Sequence, residues 1–458
     1  MVLNWNNPKF TKQTVLKESP ALITIDHVTI FDGTGVDAYE NGRILIKDGQ
    51  FIAVGKKETV EIPAESYIID GTDMTALPGL IDAHIHLSFN GVFETYPIFF
   101  GEAFPERLSR NAWLTLKSGV TTAREMPGFG QVKLKESIDK GEVLGPRLLV
   151  STSPLTVKGG YFDYPLFGTA IKDVGEVPKI IEKKVENGCN FIKTVAPYSD
   201  PLKKQKNMPL TVLSKIVKEA NKLGLAVATH SMWLDGLETV IDAGVTSIEH
   251  CPTYLGGIIP EEVLIKAKDK GIFFVPTADL VRRNYLIFTD IERILVENEY
   301  EQNMPPKSLA KMLKMVEKIK KMMQKNPQIK EAYDNLFRSY KSEYISNFQK
   351  AIEFGVKIAA GTDSGTNYTP HGILPKELEL YVEFGMTAKQ AILSATKVAA
   401  QLLGLEKEIG TLESGKEADL ILVKGNPLKK ITDLQNIHLV IKGGTVVKPN
   451  CNNSGFSI

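Results

Sequence analysis

Residues 190–230, NFIKTVAPYSDPLKKQKNMPLTVLSKIVKEANKLGLAVATH, hold the pattern that decides the fold. NFIKTVA and LAVATH are apolar runs of strand length, and PLTVLSKIVKEANKLG between them has helical periodicity. Two buried strands with a helical crossover make one parallel βαβ unit. The unit recurs in both directions. Strand-length runs stand at 77–87 (LPGLIDAHIHL), 119–125 (GVTTARE), 147–151 (RLLVS), 246–250 (TSIEH), 272–277 (IFFVPT) and 356–363 (VKIAAGTD), with helical stretches such as 176–188 (EVPKIIEKKVENG) among them. Eight such strands with crossovers predict an α/β fold, a closed parallel (β/α)8 TIM-like barrel rather than an open sheet. The alternation slackens between Thr277 and Val356, where SLAKMLKMVEKIKKMMQKNP (308–327) and the segment through FQKAIEFG (348–355) read as helices inserted after the seventh strand, about 281–350. Their lysines and methionines read as an amphipathic helix with a solvated charged face and a packed stripe.

Outside this alternation the style changes. ALITIDHVTIFDG (21–33), GRILIKDGQFIAVG (42–55) and SYIIDG (66–71) are short strands between Gly and Asp turns, and TLESGKEADLILVKGNPL (411–428) and LVIKGGTVVKPN (439–450) repeat that style at the other end. Short β segments need a partner face to bury, so both ends are expected to build one small β-sandwich. The predicted organisation is an N-terminal arm and first sandwich part over 1–72, the barrel over 73–408, and the second sandwich part and tail over 409–458.

Bulk properties exclude some classes. The 458 residues leave room beyond the roughly 250 that a barrel typically needs. With 55 Lys and Arg against 54 Asp and Glu, there is no electrostatic footprint for nucleic acid or an anionic membrane, and neither is expected as a partner. Cys189, Cys251 and Cys451 are far apart and odd in number, which argues against a disulfide framework. The N-terminal stretch lacks the basic-then-apolar run of a signal peptide, and a cytoplasmic protein is expected.

Four of the seven histidines end predicted strands. The C-terminal strand ends of a parallel barrel form its active-site face. His84 and His86, two apart, point to the same side of their strand. Taken alone they are as well explained by a hydrogen-bonded polar pair. His230 ends LAVATH, His250 ends TSIEH and Asp363 ends VKIAAGTD; together with the first pair they give the nitrogen and oxygen donors suited to Zn²⁺ and similar ions. Lys193, inside the apolar FIKTV, needs a partner. Pairing with a carboxylate, a Schiff-base role with lowered pKa, and reaction with CO2 to a carbamate are all open to it.

The ordered set LPGLIDAHIHL, FIKTVA, VATHS, SIEHC and GTDSG resembles the successive metal-site motifs of the amidohydrolase superfamily, in its imidazolonepropionase-like and Xaa-Pro dipeptidase-like branch. The resemblance runs from about Ile23 to Val447 and includes GVTTARE, HGILPKELELYVEFGMTAKQAILSAT (371–396) and the closing TLESGKEADLILV. It implies two divalent metal ions, zinc first with manganese, cobalt or iron as alternatives. His84, His86 and Asp363 would hold one ion, His230 and His250 the other, and carboxylated Lys193 would bridge them. Asp363 would also be catalytic, passing a proton from the attacking hydroxide to the leaving group. The chain departs from that branch in having Arg124-Glu125 where Arg-Asp is usual, Met232 where carboxypeptidase-like relatives have a tyrosine, and Ala196-Pro197-Tyr198 after the lysine strand. Arg124, Tyr198, Tyr254 and His371 are expected to face substrate.

The implied function is a binuclear metallohydrolase cutting an amide-like bond, with a dipeptidase for Xaa-Pro or a related C-terminal residue first. Cyclic amide or lactone hydrolysis, deamination and phosphoester cleavage use the same frame. A ligand-lost scaffold is disfavoured because all six ligand types are present, and an aldolase using Lys193 would leave four histidines without a role. The expected partner is a small or dipeptide-like substrate, and relatives of the branch imply a homo-oligomer.

Overall fold

The computed structural model describes residues 20–91, 104–164, 167–195, 206–252, 257–328, 331, 340–366 and 368–447. Five strands open this chain: β1 (Leu22–Ile30), β2 (Tyr39–Lys47), β3 (Gln50–Lys56), β4 (Tyr67–Asp70) and β5 (Met74–Pro78). The middle of the chain supplies β6 (Leu80–Ile85), β7 (Val120–Glu125), β8 (Arg147–Val150), β9 (Leu155–Val157), β10 (Thr169–Ile171), β11 (Ile192–Val195), β12 (Val227–His230), β13 (Ser247–Glu249), β14 (Phe273–Val275) and β15 (Lys357–Ile358). Three strands close it: β16 (Leu420–Lys424), β17 (Ile437–Lys442) and β18 (Thr445–Val447).

Every apolar run read as a parallel strand is one. They form a three-stranded sheet, β6-β7-β8, and a seven-stranded sheet, β10-β9-β11-β12-β13-β14-β15, with every neighbouring pair parallel. The additional strands β9 and β10, three residues each, lie outside the runs read from the sequence. Backbone bonds join the two sheets at both edges. Ala83 N–H donates to Ala360 O and His86 N–H to Ser364 O, both at 2.8 Å, while Asp363 N–H donates to His84 O at 2.7 Å. On the other side Asn190 N–H donates to Val150 O at 2.7 Å, and the Asn190 side-chain oxygen accepts Val150 N–H at 2.9 Å, imitating a ladder where the pairing stops.

The chain ends meet in an eight-stranded mixed sheet of order β18-β17-β16-β5-β1-β2-β3, with β4 beside β1. Strand period two divides its side chains between two cores. Leu420, Leu422, Leu439 and Ile441 pack with Ile23, Ile25, Ile44 and Ile46 inside the module. Ile421, Val423 and Val440 point the other way, into the large core that holds Leu80, Val120 and Leu148.

The segment after β14 is helical as expected: Ala278–Thr289, Ile291–Leu295, Asn298–Asn303, Pro306–Lys325 and, beyond residues outside the described set, Ile345–Glu353. Met312, Val316 and Met323 are buried along the long helix, so its methionines are packing residues. Buried Asp279 anchors the first helix through Arg282 and Arg283, both at 2.6 Å. Glu377 accepts the backbone N–H groups of Ala278 and Asp279 at its start, at 2.5 and 2.8 Å. No helix among the described residues is long and apolar enough to cross a membrane.

Arg147 ties the parallel strands to the terminal module. From β8 it donates to Thr122 Oγ1 and to Asp419 Oδ2, each at 2.9 Å, and it also pairs with Glu417. Asp419 is 3% exposed and its other oxygen accepts Gly443 N–H, so losing the guanidinium strands a buried carboxylate. Arg147→Ala is expected to cost about 2 kcal/mol in unfolding titrations, and adding Asp419→Asn should recover part of the loss; an unchanged midpoint for the single variant would show that the tie is not stabilising.

Candidate metal centre

The strand ends carry the chemistry. His84 lies on β6 and His86 just past it, Lys193 is on β11, His230 ends β12, His250 follows β13 and Asp363 follows β15. All but half-buried His86 are buried. The nitrogen and oxygen atoms of His84, His86 and Asp363 lie within 4.8 Å of one another. Asp363 Oδ1 is 3.4 Å from His84 Nε2 and 3.1 Å from His86 Nε2, and its Oδ2 is 3.9 Å from His250 Nδ1. The imidazoles form a continuous cluster: ring centroids are 5.6 Å apart for His84 and His86, 4.9 Å for His84 and His250, and 4.6 Å for His230 and His250.

Close backbone approach makes this convergence possible. His250, Thr277 and Asp363 all have positive φ, at 63°, 50° and 56°. Three non-glycine residues in the left-handed region at one site are conformational strain held by their surroundings. At Gly365, φ is +99° and a Cβ would stand 2.2 Å from His86 O, so only glycine lets the chain after Asp363 pass the histidine pair. Asp82 staples the same seam, accepting Thr362 Oγ1–H at 2.7 Å and the N–H groups of Thr362 and His84 at 3.1 Å. Burial pushes the Asp82 carboxyl up to about 7, against those hydrogen bonds.

Three of the imidazoles are oriented through Nδ1. His84 Nδ1 is 2.6 Å from Glu249 Oε2, His86 Nδ1 is 2.9 Å from Pro127 O and His250 Nδ1 is 2.9 Å from Thr277 Oγ1. A backbone carbonyl only accepts, so His86 Nδ1 carries the proton and Nε2 keeps its lone pair; the carboxylate partner dictates the same tautomer for His84. Glu249 is held in turn, by Arg124 Nη2 at 2.8 Å and by the Ser247 hydroxyl at 2.5 Å. Glu125 accepts Leu87 N–H at 3.0 and 2.9 Å, fixing the turn after His86, and burial raises its carboxyl well above the ordinary range.

The donor set suits divalent cations. Burial, reinforced by Lys193, holds His84 well below its ordinary value and His230 at about 3; burial does the same to His250, reinforced first by His230. All three are neutral near pH 7, as metal ligands must be. Burial draws Lys193 down to about 8, which makes its neutral amine accessible. Among the described residues, Lys193 Nζ, His230 Nε2 and Asp363 Oδ1 are buried without a hydrogen-bond partner. Orphaned polar atoms in native interiors call for an explanation, and here they sit where bound cations would satisfy the histidine and the carboxylate.

Of the residues expected to face substrate, Arg124 lies beneath the histidines: it is 2% exposed, and Nε, Nη1 and Nη2 donate to Ala83 O, Ser247 Oγ and Glu249 Oε1 at 2.6, 3.0 and 2.8 Å. His371 is buried, with Nε2 at 2.9 Å from Phe89 O, and burial lowers it to about 3. Tyr198 and Tyr254 lie outside the described residues. Sequence reasoning passed over Glu249, Asp82 and Thr277. A carboxylate inside the apolar run TSIEH has the same burial problem as Lys193, and that signal would have found Glu249.

Comparisons with known proteins agree with this geometry. The model of the amidohydrolase family matches residues 75–447. Over 474 aligned residues the chain is 26% identical to an ochratoxinase of Aspergillus niger, covering 93% of this chain and 87% of that protein. It is 23% identical over 450 residues to an imidazolonepropionase of a Geobacillus species, covering 89% and 90%. A solved Xaa-Pro dipeptidase with methionine bound in its active site superposes with a TM-score of 0.74 at 28% identity, over 93% of this chain and 100% of that one. These likenesses imply a TIM-barrel-like α/β fold, and with the family model spanning most of its length the chain belongs to the amidohydrolase family of hydrolytic enzymes.

Proposed function

We propose that the chain is a binuclear metal-dependent amidohydrolase that cleaves an amide-like C–N bond, with dipeptides as its first substrate class. The observation that carries this reading is the convergence of His84, His86 and His250 on Asp363, with His230 against His250 and the amine of Lys193 buried without a hydrogen-bond partner among the described residues. The architecture we assign is a closed barrel from β6 to about 408 with a β-sandwich made from the two chain ends; its first part runs past the 72 expected from sequence, because β5 pairs with β1 and β16 in the terminal sheet. His84, His86 and Asp363 are assigned to one ion, His230 and His250 to the other, with carboxylated Lys193 between them. The three widely spaced cysteines, of which Cys189 and Cys251 are buried, fit a reducing cytoplasm.

Divalent ions at these ligands supply Lewis acidity toward the scissile carbonyl and lower the pKa of water. The protein's own groups do the rest. Asp363 takes the proton of the attacking water at its carboxylate and delivers it to the departing nitrogen. Glu249, locked by Arg124 and Ser247, keeps His84 in one tautomer and orientation, which makes Arg124 a positioning residue. The likeness to a Xaa-Pro dipeptidase favours a dipeptide substrate; Met232 in the place of a carboxylate-gripping tyrosine leaves cyclic amides and lactones as the second reading.

Chelation should abolish hydrolysis, and Zn²⁺ or Mn²⁺ should restore it. Lys193→Ala is expected to lower kcat by orders of magnitude and to regain part of it when short-chain carboxylic acids are added. Full activity of metal-free protein, or of Lys193→Ala, would sink the reading.

The substrate is tested on the unmutated enzyme with Xaa-Pro and Xaa-Leu dipeptides beside their C-terminal amides and neutral lactones. A dipeptidase should turn over the free acids with the higher kcat/KM, because only they offer a charge-assisted contact. Faster turnover of amides or lactones than of every free acid would replace the dipeptidase by the second reading and leave the hydrolase intact.

A further inference from the structure

The helix that opens the insertion, Ala278–Thr289, starts in an unusual way. Thr277 is its N-cap residue, and a threonine there ordinarily takes extended backbone and turns its hydroxyl onto a free N–H of the first turn. Thr277 does neither. Its backbone is left-handed, with φ 50° and ψ 49°, and its side chain makes no capping hydrogen bond. The hydroxyl stands instead 2.9 Å from His250 Nδ1. The first-turn N–H groups are served from another element. Glu377, on the helix Leu374–Glu383, accepts Ala278 N–H with one carboxyl oxygen at 2.5 Å and Asp279 N–H with the other at 2.8 Å. Burial pushes that carboxyl up to about 8, and in either protonation state both oxygens keep a lone pair for these N–H groups.

The surroundings fix this arrangement. Thr277, Ala278, Asp279 and Glu377 are wholly buried, so bulk water cannot take over an N–H that loses its acceptor. The residues before Thr277 are held as well: the Tyr344 hydroxyl donates to Pro276 O at 3.1 Å, and His250 N–H donates to Val275 O at 2.8 Å. A β-branched residue at positive φ is an outlier that persists only where its neighbours over-determine it. With an acceptor of Glu377 removed, an orphaned first-turn N–H would compete for the threonine hydroxyl, and the imidazole would lose its partner. Among the described residues no hydrogen bond joins Glu377 to a ligand candidate, so its influence on the centre runs through Thr277.

We infer that Glu377 is a positioning residue of the metal centre: by capping the helix in place of Thr277, it releases the Thr277 hydroxyl to orient His250 and leaves His250 Nε2 for an ion. The inference rests on the proposed binuclear reading for the ion and on the observed hydrogen bonds alone for the positioning. Groups that orient a metal-binding imidazole through its other nitrogen are worth about tenfold to a hundredfold in metal affinity. Glu377 is one step further out and shares that effect only as far as it controls the hydroxyl.

The test is a double-mutant cycle on the full chain, read as Zn²⁺ dissociation constants by chelator competition. Glu377→Gln keeps one of the two acceptors, and Thr277→Val keeps the shape while losing the hydroxyl. One of the two constants should rise about tenfold or more in each single variant while the other holds, and Thr277→Ser should stay near the unmutated values. The double variant should lie within about twofold of the weaker single one, because both substitutions break the same chain of bonds. Melting temperatures confirm folding; if Glu377→Gln does not fold, Glu377→Asp, whose carboxylate is drawn back by one methylene, takes its place. Unchanged constants in the Glu377 variant, an equal rise in both, or effects that multiply in the double variant would overturn the inference. The cycle is repeated on metal-free protein by nitrogen NMR of the histidine rings, where His250 should carry its proton on Nδ1 until either substitution releases it. If the unmutated protein holds fewer than two ions, the binuclear reading falls; a coupled loss of Nδ1 protonation then upholds the positioning role, and a tautomer that Glu377→Gln leaves unchanged overturns it.

Discussion

Charge has to be balanced inside a space that is nearly closed to water, and the site is organised around that constraint. An unpaired charge buried there is costly. Arg124 and Glu249 answer it by pairing at 2.8 Å. Asp82 and Glu125 answer it by holding their protons more tightly, the first up to about 7 and the second well above the carboxylate range. The imidazoles of His84, His230 and His250 answer it by staying neutral. What is left is the Asp363 carboxylate and the Lys193 amine, which has no hydrogen-bond partner among the described residues. Conversion of that amine to a carbamate would turn a stranded cation into an anion, and two divalent ions would then be matched by two anionic groups and four neutral donors.

The same constraint explains why the ligands lie where they do. Parallel strands deliver alternate side chains to one interior, so His84 and His86 arrive together and His230 and His250 arrive one strand apart. The final approach is made just beyond the strand ends, by His250 and Asp363 in left-handed backbone. Regular strand cannot bring these two residues to a point; the turn that follows it can. The β-rich terminal module supports this from below, since β16 and β17 complete the large core with one face while closing their own core with the other.

Much of this was legible in the residues. Eight apolar runs marked eight of the ten described parallel strands, and a histidine or aspartate at a run's end, or a lysine within one, marked each residue proposed as a ligand. The halves of the terminal module were recognisable from their glycine turns, though their union in one mixed sheet depends on pairing between residues more than 340 apart, such as Thr75 with Val423. What stayed hidden was chemistry between neighbouring strands. Arg124 reads as a cation available to substrate until β13 brings Glu249 beside it, and Asp82 reads as part of a turn until Thr362 meets it across the seam. Period and composition describe one strand at a time, and these bonds belong to pairs of strands.

The central claim is that these six side chains hold a pair of ions bridged by a modified lysine. Anomalous diffraction from crystals of the metal-loaded protein, measured at the edge of the ion supplied, tests it directly. Two peaks are expected, one within reach of His84, His86 and Asp363 and the other beside His230 and His250, with added density on Lys193 Nζ facing both. No peak at either place, a single ion with Lys193 unmodified, or a lysine turned away from the ions would contradict it.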